Sequence, residues 1–196
     1  TDGHRLARIE TTLPKGAASI PGVIVPRKVV TEMYRLIEGK DDEITLSLSE
    51  SKIRAEFDGA VLTSKLIDGT FPDYQRVIPS GNDKMLGVDA KAFSAAIDRV
   101  STVSTEKSRA VKIALDKGKA TLSASSAENA SATEELAVDY DATQIEIGFN
   151  AKYLIEILGE IDGESAEFAF ADAVSPTIVR DTTDQGALYV LMPMRV

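Results

Sequence analysis

Apolar positions along the 196-residue chain repeat with two periods. Three stretches have helical spacing. Over residues 26–38, Val29, Val30, Met33 and Ile37 share one face, and Pro26 suits a first helical turn. Over residues 89–103, Phe93, Ala96, Ile97 and Val100 fall at helical neighbour positions behind Asp89, a natural N-cap. Over residues 150–161, Leu154, Ile157, Leu158 and Ile161 line up between a capping Asn150 and a terminating Gly163. Most of the remainder alternates as half-buried strands do. Ile44, Leu46 and Leu48 form one such run, and Ile53, Ala55 and Phe57 a second, which Asp58-Gly59 turns into residues 61–66. Val111, Ile113 and Leu115 lead through Asp116-Lys117-Gly118 into residues 120–123, while Leu136, Val138 and Tyr140 alternate again. Residues 8–13 and 145–149 read as strands, and residues 187–192 as a nearly continuous apolar one. Strands outnumber helices, so the predicted class is α+β with antiparallel sheets.

A repeat organises these elements. Aligning Pro26 with Asn150 places Lys28 on Lys152, Val30 on Leu154, Met33 on Ile157, Ile37 on Ile161 and Gly39 on Gly163. Ile44 and Leu46 then meet Phe168 and Phe170, so a strand–helix–strands unit occurs twice. The segment with the second helix, residues 89–140, reads as the other half of a pseudo-symmetric domain. Turn-forming residues 79–83 mark the boundary between residues 1–80, which supply one half-unit, and residues 81–196, which supply two. The chain starts at Thr1 without Met, and the expectation is a fragment of a longer protein.

Composition changes this picture only at the margins. Hydrophobic residues make up 43% and charged residues 27%, the balance of a globular chain. No apolar run approaches the roughly 18 residues that cross a bilayer. Cysteine is absent, which removes disulfides, thiolate metal sites and cysteine nucleophiles, and fits a reducing compartment. His4 is the single histidine and makes a poor metal site alone. No Gly-rich phosphate loop or nucleophile elbow occurs, and no base stands beside Ser123-Ala124-Ser125-Ser126. Asp41-Asp42-Glu43 follows Gly39 and reads as a solvated turn; its rival reading is the carboxylate centre of a small acidic enzyme. No metal or cofactor is implied.

The net charge of −9 argues against a polyanionic partner, but a sum hides asymmetry between faces. Arg27, Lys28 and Arg35 sit on the first predicted helix, Lys91 and Arg99 on the second and Lys152 on the third. Acidic residues crowd loops and strand edges, among them Glu134, Glu135, Asp181 and Asp184. Two readings stand side by side: helices turned toward a polyanion, or ordinary salt-bridged helix surfaces.

Particular motifs sharpen the choice. Thr1-Asp2-Gly3-His4-Arg5-Leu6, Ser64-Lys65-Leu66 with Asp68-Gly69, Phe71-Pro72-Asp73-Tyr74 with Arg76-Val77, and Met192-Pro193-Met194-Arg195 occur in this order. Thr105-Glu106-Lys107 and Ile147-Gly148-Phe149-Asn150 lie between them. With these the whole chain resembles the bacterial DNA polymerase III beta subunit family, the sliding clamps.

The resemblance implies a DNA-clamp fold, with residues 1–80 as the later half of a middle domain and residues 81–196 as a complete third domain. It implies a non-catalytic cytoplasmic processivity factor of the DNA polymerase holoenzyme, whose subunits pair head to tail into a ring around duplex DNA. Arg27, Lys28, Arg35, Lys91 and Arg99 are then assigned to the DNA-facing side. A groove between the second and third domains takes a short Gln-Leu-x-Leu-Phe-like motif from the polymerase alpha subunit, the clamp loader, other polymerases and repair proteins. By motif, Thr1, Gly3, His4, Arg5 and Leu6 supply one side of it, with Pro72, Arg76 and Val77. Val174, Pro176 and the tail Val190, Leu191, Met192, Pro193, Met194 and Arg195 complete it. Pro176 stands where relatives often carry a small polar residue. The subunit contact is assigned near Thr102 and Val103, where relatives tend to be more apolar at the first position. A further reading retains peptide binding without encirclement of DNA.

Overall fold

The computed structural model describes residues 1–104, 109–126 and 130–195. Thr105, Glu106 and Lys107, part of one motif above, lie outside the described residues. In chain order the elements are β1 (Arg5–Ile9), α1 (Arg27–Ile37), β2 (Thr45–Leu48), β3 (Lys52–Phe57), β4 (Ala60–Lys65), a 3-10 turn (Tyr74–Val77) and β5 (Lys84–Asp89). There follow α2 (Ala90–Ser101), β6 (Ala110–Asp116), β7 (Lys119–Ser125), β8 (Ser131–Ala137) and β9 (Asp139–Tyr140). The chain ends with β10 (Ile145–Asn150), α3 (Ala151–Gly159), β11 (Ser165–Phe170), β12 (Thr177–Asp181) and β13 (Ala187–Leu191). Helices and antiparallel sheets mix as the pattern predicts.

These elements form two compact units, residues 12–72 and residues 1–11 with 73–196. The division differs from the 80/81 boundary because β1 pairs with β13 and so joins the larger unit, as does the 3-10 turn.

In the larger unit the predicted helix faces are the buried ones. In α2, Phe93, Ala96, Ile97 and Val100 point inward, and Asp89 caps the helix by accepting from the Ala92 N–H at 2.7 Å. In α3, Leu154, Ile157 and Leu158 point inward, and Asn150 accepts from the Lys152 N–H at 3.0 Å. The two caps stand at equivalent places, each at the junction of a strand and the helix that follows it. The alternating residues Val111, Ile113 and Leu115 of β6 and Ala120 and Leu122 of β7 are wholly buried. Phe93 meets Phe168 edge-on at 5.8 Å between ring centroids, inside one core drawn from both helices and both sheets of the larger unit.

The pseudo-symmetry is built by exchange. The strand before α2, β5, pairs with β11, which follows α3; the strand before α3, β10, pairs with β6, which follows α2. The sheets run β1-β13-β12-β11-β5-β9 and β10-β6-β7-β8. Leu136, Val138 and Tyr140 alternate as predicted but do not form one strand. The chain leaves one sheet after β8 and enters the other as β9, so Tyr140 pairs with Leu86.

The smaller unit has a single half-unit, α1 with the sheet β2-β3-β4. Its hairpin at Asp58-Gly59 has both central residues at positive φ, 44° and 73°, as a two-residue turn between twisted strands requires. Only Val29 of α1 is buried. Val30 is 54% exposed and Tyr34 61%, although the repeat sets Val30 opposite the wholly buried Leu154.

Candidate functional site

The first six residues form a tight turn that β1 continues. Asp2 Oδ1 accepts from the N–H of His4 at 2.9 Å and of Arg5 at 3.1 Å, and Thr1 Oγ1 donates to the Arg5 carbonyl at 2.7 Å. The residue inside this Asx turn, Gly3, is left-handed with φ of 86°, a conformation glycine adopts without strain.

This turn orients Arg5. Its guanidinium lies 4.2 Å from the ring centroid of Tyr153 and forms ion pairs with Asp2 and with Glu156. The hydrogen bond from Arg5 holds the Glu156 carboxyl below its ordinary range. Tyr153, Glu156 and Glu160 project from one face of α3, and with Thr1, Arg5, Leu6 and Tyr189 most of them line a pocket of about 440 Å³; Tyr153 stands beside it through Arg5. In the sequence Glu156 reads only as an acid on the third helix, and Tyr153 carries no site signal. Their helical spacing, i and i+3 beside the buried stripe of α3, is the signal the sequence offers.

The C-terminal tail connects the two sheets of the larger unit. The Met192 N–H donates to the His4 carbonyl at 2.9 Å, and the Met194 N–H donates to the Gly148 carbonyl at 2.9 Å. Met194 thereby bridges to the edge strand β10. Beyond that bridge Val174, Pro193, Met194 and Arg195 line a second pocket, of about 540 Å³, with Glu146, Gly148 and Ala173. Val174 is 73% exposed and Met192 is 40% exposed.

On the outer face of the six-stranded sheet, Leu6 and Val190 belong to a small apolar cluster with Ala169, Ile178 and Leu188. Tyr74 and Ile78 pack on this cluster, which leaves Val77 exposed at the end of the 3-10 turn. Arg76 is held by Asp73 at 2.7 Å. Leu191 is wholly buried in the main core, and Val190 lies beneath the surface, so both support the tail from within. Pro176 closes the loop before β12, where its carbonyl accepts from Asn82. Pro72 belongs to the smaller unit.

The basic residues divide in two. Arg99 donates twice to Glu134 of β8, from Nε at 3.1 Å and from a terminal nitrogen at 2.5 Å. Arg35 pairs with Glu32 at 3.2 Å. Arg27, Lys28 and Lys91 are exposed and have no ion pair among the described residues. At the end of α2 the Thr102 hydroxyl donates to the Asp98 carbonyl at 3.1 Å, and Val103 packs against the main core. Asp41, Asp42 and Glu43 are exposed in the connection between α1 and β2. Among the described residues, no three His, Cys, Asp or Glu side chains gather in a metal-binding group. Among the described residues, no helix is long and apolar enough to cross a membrane.

Comparisons with known proteins agree over the whole chain. The family described as DNA polymerase III beta subunit, central domain, matches residues 1–73, and the C-terminal domain of the same subunit matches residues 75–195. A beta sliding clamp of Caulobacter vibrioides is 54% identical over 196 residues, which cover 100% of this chain and 53% of the relative. A sliding clamp (DNA polymerase III subunit beta) of Bartonella birtlesii bound to griselimycin superposes with a TM-score of 0.96 at 47% identity, covering 100% of this chain and 53% of that one. A DNA polymerase sliding clamp of Caulobacter crescentus gives 0.94 at 53% identity, over 100% and 52%. This chain thus spans about half the length of the relatives it matches.

Proposed function

The chain belongs to the DNA polymerase III beta subunit family, and from that premise we propose that it acts as part of a sliding clamp, a non-catalytic processivity factor. In this reading the whole protein encircles duplex DNA in the cytoplasm and tethers polymerases and other partners through a peptide groove. Residues 1–80 form the later half of the middle domain, and residues 81–196 the third.

The observation that carries the groove assignment is the path of the tail. Hydrogen bonds to His4 and Gly148 hold Met192 and Met194, with a pocket at either end. Met192, Val77 and Val174 present exposed apolar surface, and Arg5 and Arg195 offer donors for backbone or carboxylate groups. Apolar sockets with a few directed polar groups suit an extended peptide carrying Leu and Phe side chains. Thr1, Gly3 and His4 shape the rim, while Leu6, Val190 and Leu191 support it from below. Pro72, Arg76, Pro176 and Pro193 complete the assignment.

Arg27, Lys28, Arg35, Lys91 and Arg99 form the DNA-facing set, of which Lys28, Arg27 and Lys91 are the members free to meet phosphates. Contacts to phosphate without base readout permit sliding. The head-to-tail contact uses the end of α2 at Thr102 and Val103. The test of the groove is binding of a fluorescent Gln-Leu-Ser-Leu-Phe peptide to this chain. Binding near a Kd of 1–10 μM, on the order of −7 to −8 kcal/mol, with loss in Met192→Glu, supports the reading; equal binding by the variant overturns it.

A further inference from the structure

The loop between β11 and β12 is held from outside by the segment that leads into β5. Asn82 Nδ2 donates to the carbonyl of Ala169 at 2.7 Å and to the carbonyl of Pro176 at 2.9 Å. Lys84 Nζ donates to the carbonyl of Ala171 at 2.7 Å. Within the loop, Asp172 Oδ1 accepts from the N–H groups of Val174 at 2.9 Å and Ser175 at 2.7 Å, and Oδ2 accepts from the Ser175 hydroxyl at 2.9 Å. The β11–β12 ladder ends at the pair Ala169 and Ile178, and Pro176 has no N–H with which to extend it. Beyond that point the Asn82 carboxamide does the work of a backbone donor, because both its N–H groups bridge the two sides of the loop base.

The loop so fixed carries Val174 on the wall of the pocket that it shares with Pro193, Met194 and Arg195. We propose that Asn82 is a positioning residue of the peptide groove: it sets the Val174 wall in place before a peptide arrives. The proposal rests on the groove reading above and adds a residue outside both pockets. A preformed wall relieves the ligand of ordering the loop, so its loss shows mainly in the dissociation rate. The Asn82 Oδ1 atom is buried without a hydrogen-bond partner among the described residues, which leaves the nitrogen as the group in use. Asp at this position would turn an acceptor toward two carbonyl oxygens.

The experiment measures binding kinetics of the Gln-Leu-Ser-Leu-Phe peptide on the full chain, for the unsubstituted protein, Asn82→Asp, Val174→Ala and the double variant. Circular dichroism and a cooperative unfolding curve establish folding of each. Asn82→Asp is expected to release the peptide about tenfold faster, with association changed by less than about twofold. Amide exchange at residues 173–175 should rise in the same variant. The double variant should be no worse than the weaker single one, because both changes remove the same wall. An unchanged off-rate in folded Asn82→Asp, or additive losses in the double variant, overturns the proposal. If Asn82→Asp does not fold, Asn82→Ala is read the same way; failure of both to fold also overturns it, because Asn82 then serves the fold rather than the groove. No binding by the unsubstituted chain overturns the groove reading itself, whereas binding that Asn82→Asp leaves untouched overturns this proposal alone.

Discussion

Asp181 is buried, yet it is kept ionised by its neighbours. Its carboxylate accepts from the Thr183 hydroxyl at 2.6 Å, the Gly163 N–H at 2.9 Å and the Thr183 N–H at 2.7 Å. These bonds, the hydroxyl's first among them, bring its pKa from 3.8 to about 2. The folded state therefore gains stability that is fully present above about pH 4 and disappears as pH falls through 2. Urea unfolding midpoints should decline across that window, and Asp181→Asn should flatten the decline while lowering stability at neutral pH. Gly163 belongs to the same arrangement: a Cβ there would stand 2.7 Å from Asp181 Oδ1 and 2.8 Å from Thr183 Oγ1. Gly163→Ala is expected to cost about 1–3 kcal/mol by disturbing the bonded carboxylate, as unfolding in denaturant would measure. Neither role was legible in the sequence, where Asp181 read as one of many surface acids and Gly163 as a helix terminator. Thr183 lies only two residues beyond Asp181, but the Gly163 N–H comes from a loop 18 residues away, and no local pattern brings that loop to the carboxylate.

Elements were legible where burial is one-sided. The stripes of α2 and α3, the Asp89 and Asn150 caps and the Asp58-Gly59 hairpin follow from period and turn chemistry alone. β12 is buried on both faces and so shows no alternation, while β5 alternates only through Leu86 and Val88 on either side of Gly87, too short a run to stand out in the sequence. At the N-terminus the strand read over residues 8–13 begins earlier, at Arg5, set by its register with β13. This register has a consequence. Deleting residues 1–11 would open the β13 edge and uncover Leu188 and Val190, while removing Leu6 from the outer cluster. The truncated chain is expected to unfold at lower denaturant and to bind the peptide undetectably. Unchanged stability would mean that β1 contributes nothing to the sheet.

At the scale of the molecule, the half-units of α2 and α3 exchange strands, and within the larger unit the turn at residues 1–6 meets the tail at Met192. The groove's chain segments were legible through resemblance, whereas Tyr153, Glu156 and Asn82 became visible only when α3 and the approach to β5 were placed in space. The charge asymmetry was legible only in part: the Arg99–Glu134 pair joins α2 to β8 across a sequence distance that charge counting does not register. If Lys28 and Lys91 face DNA, replacing both by Ala should reduce the slope of log affinity against log salt for a duplex by about 2. An unchanged slope would remove them from the DNA-facing set. Whether the turn at residues 1–6 and the tail at residues 192–195 form one peptide groove is decided by NMR titration of the isotope-labelled chain with the Gln-Leu-Ser-Leu-Phe peptide. One shared groove gives saturable shifts confined to Gly3–Leu6, Val77, Tyr153, Val174 and Met192–Arg195; shifts centred on α1 or the β2-β3-β4 sheet, with those residues unmoved, would rule it out.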